Sequence, residues 1–144
     1  MAALSDYLEN KLIDHLLRAT AYSAPATTYV GLLTAAPSDS GGGTEVSGGS
    51  YARASVASGT GAWTATQGGT SGASSGTGGT TGNAATISFA TPSAGWGTVT
   101  HFGVYDALTG GNLLFHGALT ASKVINSGDS VSFAAGALTL QIDN

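Results

Sequence analysis

From Pro25 onward the chain divides into eight short runs rich in β-branched and aromatic residues, and this pattern limits the fold more than any other feature. The runs are TTYVGLLT (27–34), YARASVA (51–57), ATISFA (85–90), TVTHFGVYD (98–106), NLLFHGAL (112–119), SKVIN (122–126), SVSFAA (130–135) and ALTLQI (137–142). Turn signals lie between them, among them APSDSGGG, TPSAGWG, ALTGG and NSGD. Short strands at this spacing leave no room for crossover helices, so they predict an antiparallel β-sandwich of jelly-roll type rather than a parallel sheet. In the run at 98–106, strict alternation would put Thr98, Thr100, Phe102 and Val104 on one face and Val99, His101, Gly103 and Tyr105 on the other. Neither face is wholly polar, which suits a strand covered on both sides.

One segment has helical period. In LSDYLENKLIDHLLR, Leu8, Leu12, Ile13, Leu16 and Leu17 recur at i, i+4, i+5, i+8 and i+9, so an amphipathic α-helix is expected over about residues 5–18. Ser5 stands where an N-cap belongs, Asp6 and Glu9 lie near the positive end of the helix dipole, and Asp14 precedes Arg18 by four residues. The stripe is expected to pack on the chain's own sheet; the alternative is docking on a neighbouring subunit. With 144 residues there is room for one modest core, so residues 1–144 are read as one sandwich domain.

Residues 58–83, SGTGAWTATQGGTSGASSGTGGTTGN, differ from the rest, with nine glycines, no charge and Trp63 as the one large side chain. Such a segment buries too little apolar surface to offset its chain entropy alone. It reads either as a flexible excursion or as an arm that orders on a neighbour, with AWTAT adding a strand at an edge. The other glycine-rich stretch, SDSGGGTEVSGGSYAR (38–53), has no lysine and opens no helix, so it fails as a phosphate cradle. It is expected to be a wide connection between strands, with glycines supplying positive φ and Glu45 pairing with Arg53.

Charge narrows the partners. Only 8% of residues are charged and the net charge is −4, with Lys11, Arg18, Arg53 and Lys123 the only formal cations. Nucleic-acid binding needs several phosphates neutralised together, so this balance argues against it. No apolar run approaches the roughly 20 residues that span a bilayer, and no basic leader precedes the helix, so neither anchor nor secretion signal is expected. A poorly charged, hydroxyl-rich surface fits a chain partly covered by copies of itself or by other proteins.

Catalytic chemistry has little support. His15, His101 and His116 are the only histidines, and none has metal-ligand spacing. His101 and His116 lie on strands flanking one hairpin and could face each other across it, to be read as a cross-strand pair or an interface hydrogen bond rather than as catalytic. The serines of GTSGASSG lack the strand-to-helix turn of a nucleophile elbow. Asp39, Glu45, Asp106 and Asp129 stand singly at turns, where acids cap backbone amides; a structural calcium is the alternative. Neither enzyme nor cofactor is expected.

Three stretches together carry a resemblance: ALSDYLENKLIDHLLR, ATTYVGLLTAAPSDSGGGTEVSGGSYAR, and SAGWGTVTHFGVYDALTGGNLLFHGALTASKVINSGDSVSFAAGALTL. They are similar to a family of small tailed-bacteriophage virion proteins described as tail-fibre-like or head-decoration-like. The resemblance covers nearly the whole chain outside 58–83 and brings no catalytic or ligand-binding residues with it. It implies a non-enzymatic β protein present in many copies on a virion assembled in the host cytoplasm. The reading placed first is a capsid decoration or cement protein, a homotrimer bound to the major capsid protein or other virion proteins. The alternative is a tail-fibre or tail-tip component that touches the host surface. Trp63, Trp96, Phe102, Tyr105 and Arg53 are the interface candidates, with Trp96 and Phe102 equally readable as core.

Overall fold

The computed structural model describes residues 2–142. A short strand, β1 (Ala3–Leu4), leads into helix α1 (Asp6–Leu17), and the remaining elements are strands: β2 (Thr27–Ala35), β3 (Thr44–Glu45), β4 (Ala54–Ala57), β5 (Thr80–Gly82), β6 (Ile87–Ser88), β7 (Gly97–Tyr105), β8 (Leu113–Ile125), β9 (Ser132–Phe133) and β10 (Thr139–Gln141). All pairings are antiparallel. The main sheet runs β1-β8-β7-β2-β3, and β4 also pairs with β2. A second layer is made of two ribbons, β5 with β10 and β6 with β9. The layered antiparallel arrangement expected from the sequence is present, with two separate ribbons where a jelly roll has a second full sheet.

The helix follows from its local sequence. Ser5 caps it by accepting the Leu8 N–H at 3.3 Å, and its hydroxyl donates to the Leu113 carbonyl of the neighbouring strand. Asp14 and Arg18 form the expected i,i+4 pair at 2.8 Å. The apolar stripe divides. Leu8 is buried and Leu12 packs partly with Leu4, Leu114 and Tyr22, whereas Ile13, Leu16 and Leu17 lie exposed, Leu17 at 80%. The first half of the helix therefore covers the chain's own sheet, and Ile13, Leu16 and Leu17 of its second half are left largely uncovered by the described residues.

The core forms between the main sheet and the ribbons. Val30 pairs with Val104 and Leu32 with Phe102, so these four share the inner face; Val30, Val104 and Phe102 cluster with Ile87, Leu138 and Leu140 from the ribbons and neighbouring loop, and Leu32 with Val46 and Ile125. Val99 also turns inward, packing with Leu32 and Trp96 although it is three residues from Phe102. Strict alternation assigns Val99 and Phe102 to opposite faces; the pairing with β8 shifts between Val99 and His101, and that irregularity brings both inside. The two runs expected at 112–119 and 122–126 join through this shift as the single strand β8.

The ribbons are too short to satisfy their own backbone, and one side chain does much of that work. Asn83, 1% exposed, donates from Nδ2 to the carbonyls of Ala85 and Ala134, each at 2.8 Å, and accepts the Leu138 N–H at 2.9 Å. Three segments of the second layer meet on this amide. Asn83→Asp keeps the shape, removes two donors and sets a carboxylate against two carbonyls. It is expected to lower stability by about 3 kcal/mol, read as a shift of the urea midpoint at unchanged m-value.

Candidate interaction surface

The outer face of the main sheet carries the most concentrated polar chemistry in the chain, built over two glycines. Gly31 and Gly103 are cross-strand partners in β2 and β7. A Cβ on Gly103 would lie 2.8 Å from Cε2 of Tyr105, and one on Gly31 would lie 3.0 Å from the same atom. The missing side chains therefore leave a flat floor on which the Tyr105 ring rests. Arg53 stacks on that ring, its guanidinium carbon 3.4 Å from the centroid.

The guanidinium is almost fully satisfied. Nε and one terminal nitrogen donate to the two oxygens of Glu45 at 2.8 and 2.7 Å, and the other terminal nitrogen donates to the carbonyls of Ala107 and Gly110 at 2.7 and 2.8 Å. The Tyr51 hydroxyl donates to Glu45 at 2.8 Å while accepting the Leu32 N–H at 2.8 Å. The pair expected between Glu45 and Arg53 is present and more buried than a surface bridge, with 7% of the Arg53 side chain exposed. Glu45 belongs to β3, which pairs back onto β2, so the expected wide connection contains a strand. Its glycines do supply positive φ: at Gly49 the value is 55°, and a Cβ there would meet the Ala94 carbonyl at 2.8 Å.

Of the interface candidates, Trp96 and Phe102 are core residues, each 5% exposed. Trp96 donates its indole N–H to the Gly49 carbonyl at 2.9 Å and meets Tyr51 edge-on at 5.2 Å. Tyr105 is buried beneath Arg53, and Arg53 is spent on Glu45 and the 107–110 turn. Trp63, unlike the other three aromatic candidates, stands partly exposed. It lies in the 58–83 segment, which folds back on the chain's own layers: Ala62 and Trp63 pack on the core, and Trp63 bridges to Asn83.

Of the two readings of His101 and His116, the direct cross-strand pair is not formed. His116 pairs with Gly103 and His101 with Ala118, a diagonal offset, and each finds another partner. His116 Nε2 meets Asp39 at 3.0 Å and His101 Nδ1 meets Thr100 at 2.8 Å. His15 accepts the Tyr22 N–H at 3.1 Å. Asp106 accepts from Asn112, and Asp129 from the Asn126 N–H, as turn acids are expected to do. Among the described residues no group of three His, Asp or Glu side chains could hold a metal ion, and no helix is long and apolar enough to cross a membrane. Asn83 and the glycine pair were missed by the sequence reading. Only the closeness of Glu45, Tyr51 and Arg53 in sequence signalled the cluster.

Fold and surface together define a layered antiparallel β protein in which one partly buried ion pair, Glu45–Arg53, ties a short strand to a turn. Residues 3–141 match the family model of the podophage GP4 fiber I protein gp80, and the chain belongs to this family of phage virion structural proteins. A comparison with curated proteins finds no match.

Two outcomes test the cluster. Arg53→Ala leaves Glu45 without its counter-ion and two turn carbonyls without donors, and is expected to cost about 3 kcal/mol in urea unfolding, with Arg53→Lys recovering part of it. Burial first, then the Glu45 carboxylate, push the Tyr51 phenol up, against a lowering by the Leu32 N–H; burial does the same to Tyr105. These phenols ionise above their unfolded value of about 10, so their contribution is intact below that pH. It falls as pH rises further, because the unfolded chain releases protons that the folded chain retains, by up to about 1.4 kcal/mol per pH unit for each tyrosine. Urea midpoints between about pH 8 and pH 11 should show this decline, and Tyr51→Phe should make it shallower.

Proposed function

We propose that this chain is a fibre component of a podophage tail that contacts the host surface. The observation that carries the reading is the family match over residues 3–141, whose description names a fibre protein. It favours the tail-fibre alternative over the capsid-decoration reading placed first from the sequence. Two features of the surface support a chain held among protein neighbours in many copies. The second half of α1 presents Ile13, Leu16 and Leu17 largely uncovered by the described residues, and hydroxyls and glycines replace the usual charged residues. Repetition strengthens weak contacts through effective concentration, so such a surface can still hold firmly.

The functional reading is non-enzymatic. The histidines are engaged in local contacts, and the best-developed polar cluster has its donors directed at main-chain carbonyls and one carboxylate. Immunogold labelling of purified particles tests the placement: gold on the tail is expected, together with antibody inhibition of adsorption. Gold confined to the head would restore the decoration reading, with the major capsid protein as partner.

A further inference from the structure

We propose that Trp63 and the loop around it form a subsite for a neutral saccharide. The inference rests on the fibre reading above for its biological setting and on the following geometry for its chemistry. The 58–83 segment forms an open surface concavity of about 360 Å³ whose walls include Thr60, Trp63, Thr70, Gly72 and Ser74. Its walls are braced by hydrogen bonds. Gln67 donates from its amide to the Ala73 carbonyl at 3.0 Å and accepts the Ser75 N–H at 2.8 Å. Thr66 accepts the Gly76 N–H on its hydroxyl at 2.8 Å and donates its own N–H to the Ser74 hydroxyl at 3.3 Å. The contact at Gly76 is so close that a Cβ there would fall 2.5 Å from the Thr66 backbone. At the base, the Thr64 hydroxyl accepts the Gly82 N–H at 2.9 Å, tying the loop to β5. A preformed concavity of this kind loses little ordering entropy when a ligand enters.

The two tryptophans differ in the way the proposal requires. Trp96 is buried and its indole N–H is bonded to Gly49. Trp63 has its ring body packed against the core, yet its indole N–H has no hydrogen-bond partner among the described residues, and no buried side-chain nitrogen there lacks one. The Trp63 N–H is therefore an unpaired donor that is not fully buried, on a side chain that lines the concavity and, on its other side, an apolar pocket with Leu8, Tyr22 and Leu140. An indole offers a flat apolar surface and one donor. A pyranose offers the complement, a C–H face beside hydroxyls that both donate and accept. Thr60, Thr70 and Ser74 bring hydroxyls to the same space. No residue from 58 to 83 is charged, so the subsite selects a neutral sugar over a sialylated, uronic or phosphorylated one.

Such a sugar can belong to a lipopolysaccharide O-chain or to a capsule, and the test separates the two. The full chain, labelled with ¹⁵N, has two tryptophans and so two indole N–H signals, assigned with Trp63→Phe and Trp96→Phe. It is titrated with purified O-polysaccharide and, separately, purified capsular polysaccharide from a plaque-forming host strain. We expect the Trp63 signal to move with one of them while the Trp96 signal stays. Trp63→Ala should weaken binding at least about tenfold, a factor that corresponds to about 1.4 kcal/mol. Trp63→Phe keeps an aromatic ring on the core and removes the N–H, so it should weaken binding several-fold at nearly unchanged Tm. The proposal is overturned if neither polysaccharide moves the Trp63 signal, if binding survives both Trp63 variants, or if only an acidic glycan or a peptide binds. Its failure is distinct from that of the fibre reading. Gold on the head with sugar binding intact removes the fibre alone, and gold on the tail with a silent Trp63 removes the subsite alone.

Discussion

The stacked and chelated Arg53 is the interaction on which the outer face of the sheet depends. Its guanidinium bridges β3 through Glu45 and the β7–β8 turn through the Ala107 and Gly110 carbonyls, while Tyr105 supports it from below. A lysine has one charged point and no planar fork, and could not reach these acceptors together or stack in the same way. The arrangement demands space at the sheet surface, which explains why two opposed strand residues are glycine. Glycine in a strand interior weakens it by itself; here the missing side chains let an aromatic ring lie close to the backbone. In a chain with so few charges, placing one ion pair where water is largely excluded makes it count for more than a surface bridge.

The second layer meets a different constraint. Ribbons of two or three residues cannot pair most of their own backbone groups, and a buried unpaired group is costly. Asn83 answers this by bonding the carbonyls of Ala85 and Ala134, and Trp96 does the same outside the ribbons for Gly49 in the β3–β4 connection. The Gly/Ser/Thr-rich segment between β4 and β5 works by the same means, with Thr64, Thr66 and Gln67 replacing strand pairing by side-chain bonds to main chain. Hydroxyls and glycines are thus structural currency throughout this chain. They also leave a sparsely charged outer surface, suited to the repeated contacts of a virion protein.

Much of the architecture was legible in the sequence. The helix, its Ser5 cap and its Asp14–Arg18 pair follow from local signals that act within one or two turns. β2 and β7 follow from long β-branched runs. What escaped was non-local. The shift between Val99 and His101 depends on how β8 runs beside β7 and has no signature within either strand. β3 hides in a glycine-rich stretch, because its two residues become a strand only by returning to β2. Trp63 and Trp96 look alike as letters in turn-rich segments, and packing alone buries one while leaving the other partly open.

By itself, then, the sequence determined the β class, the single helix, the poverty of charge and the membership of the fibre family, because these rest on periodicity, composition and motif. Tertiary structure decided which apolar residues are covered, which glycines hold a ring instead of a turn, and which tryptophan is left partly open. Those outcomes depend on segments far apart in the chain meeting at distances of about 3 Å, where steric fit and hydrogen-bond geometry act, and nothing in local residue pattern encodes such meetings.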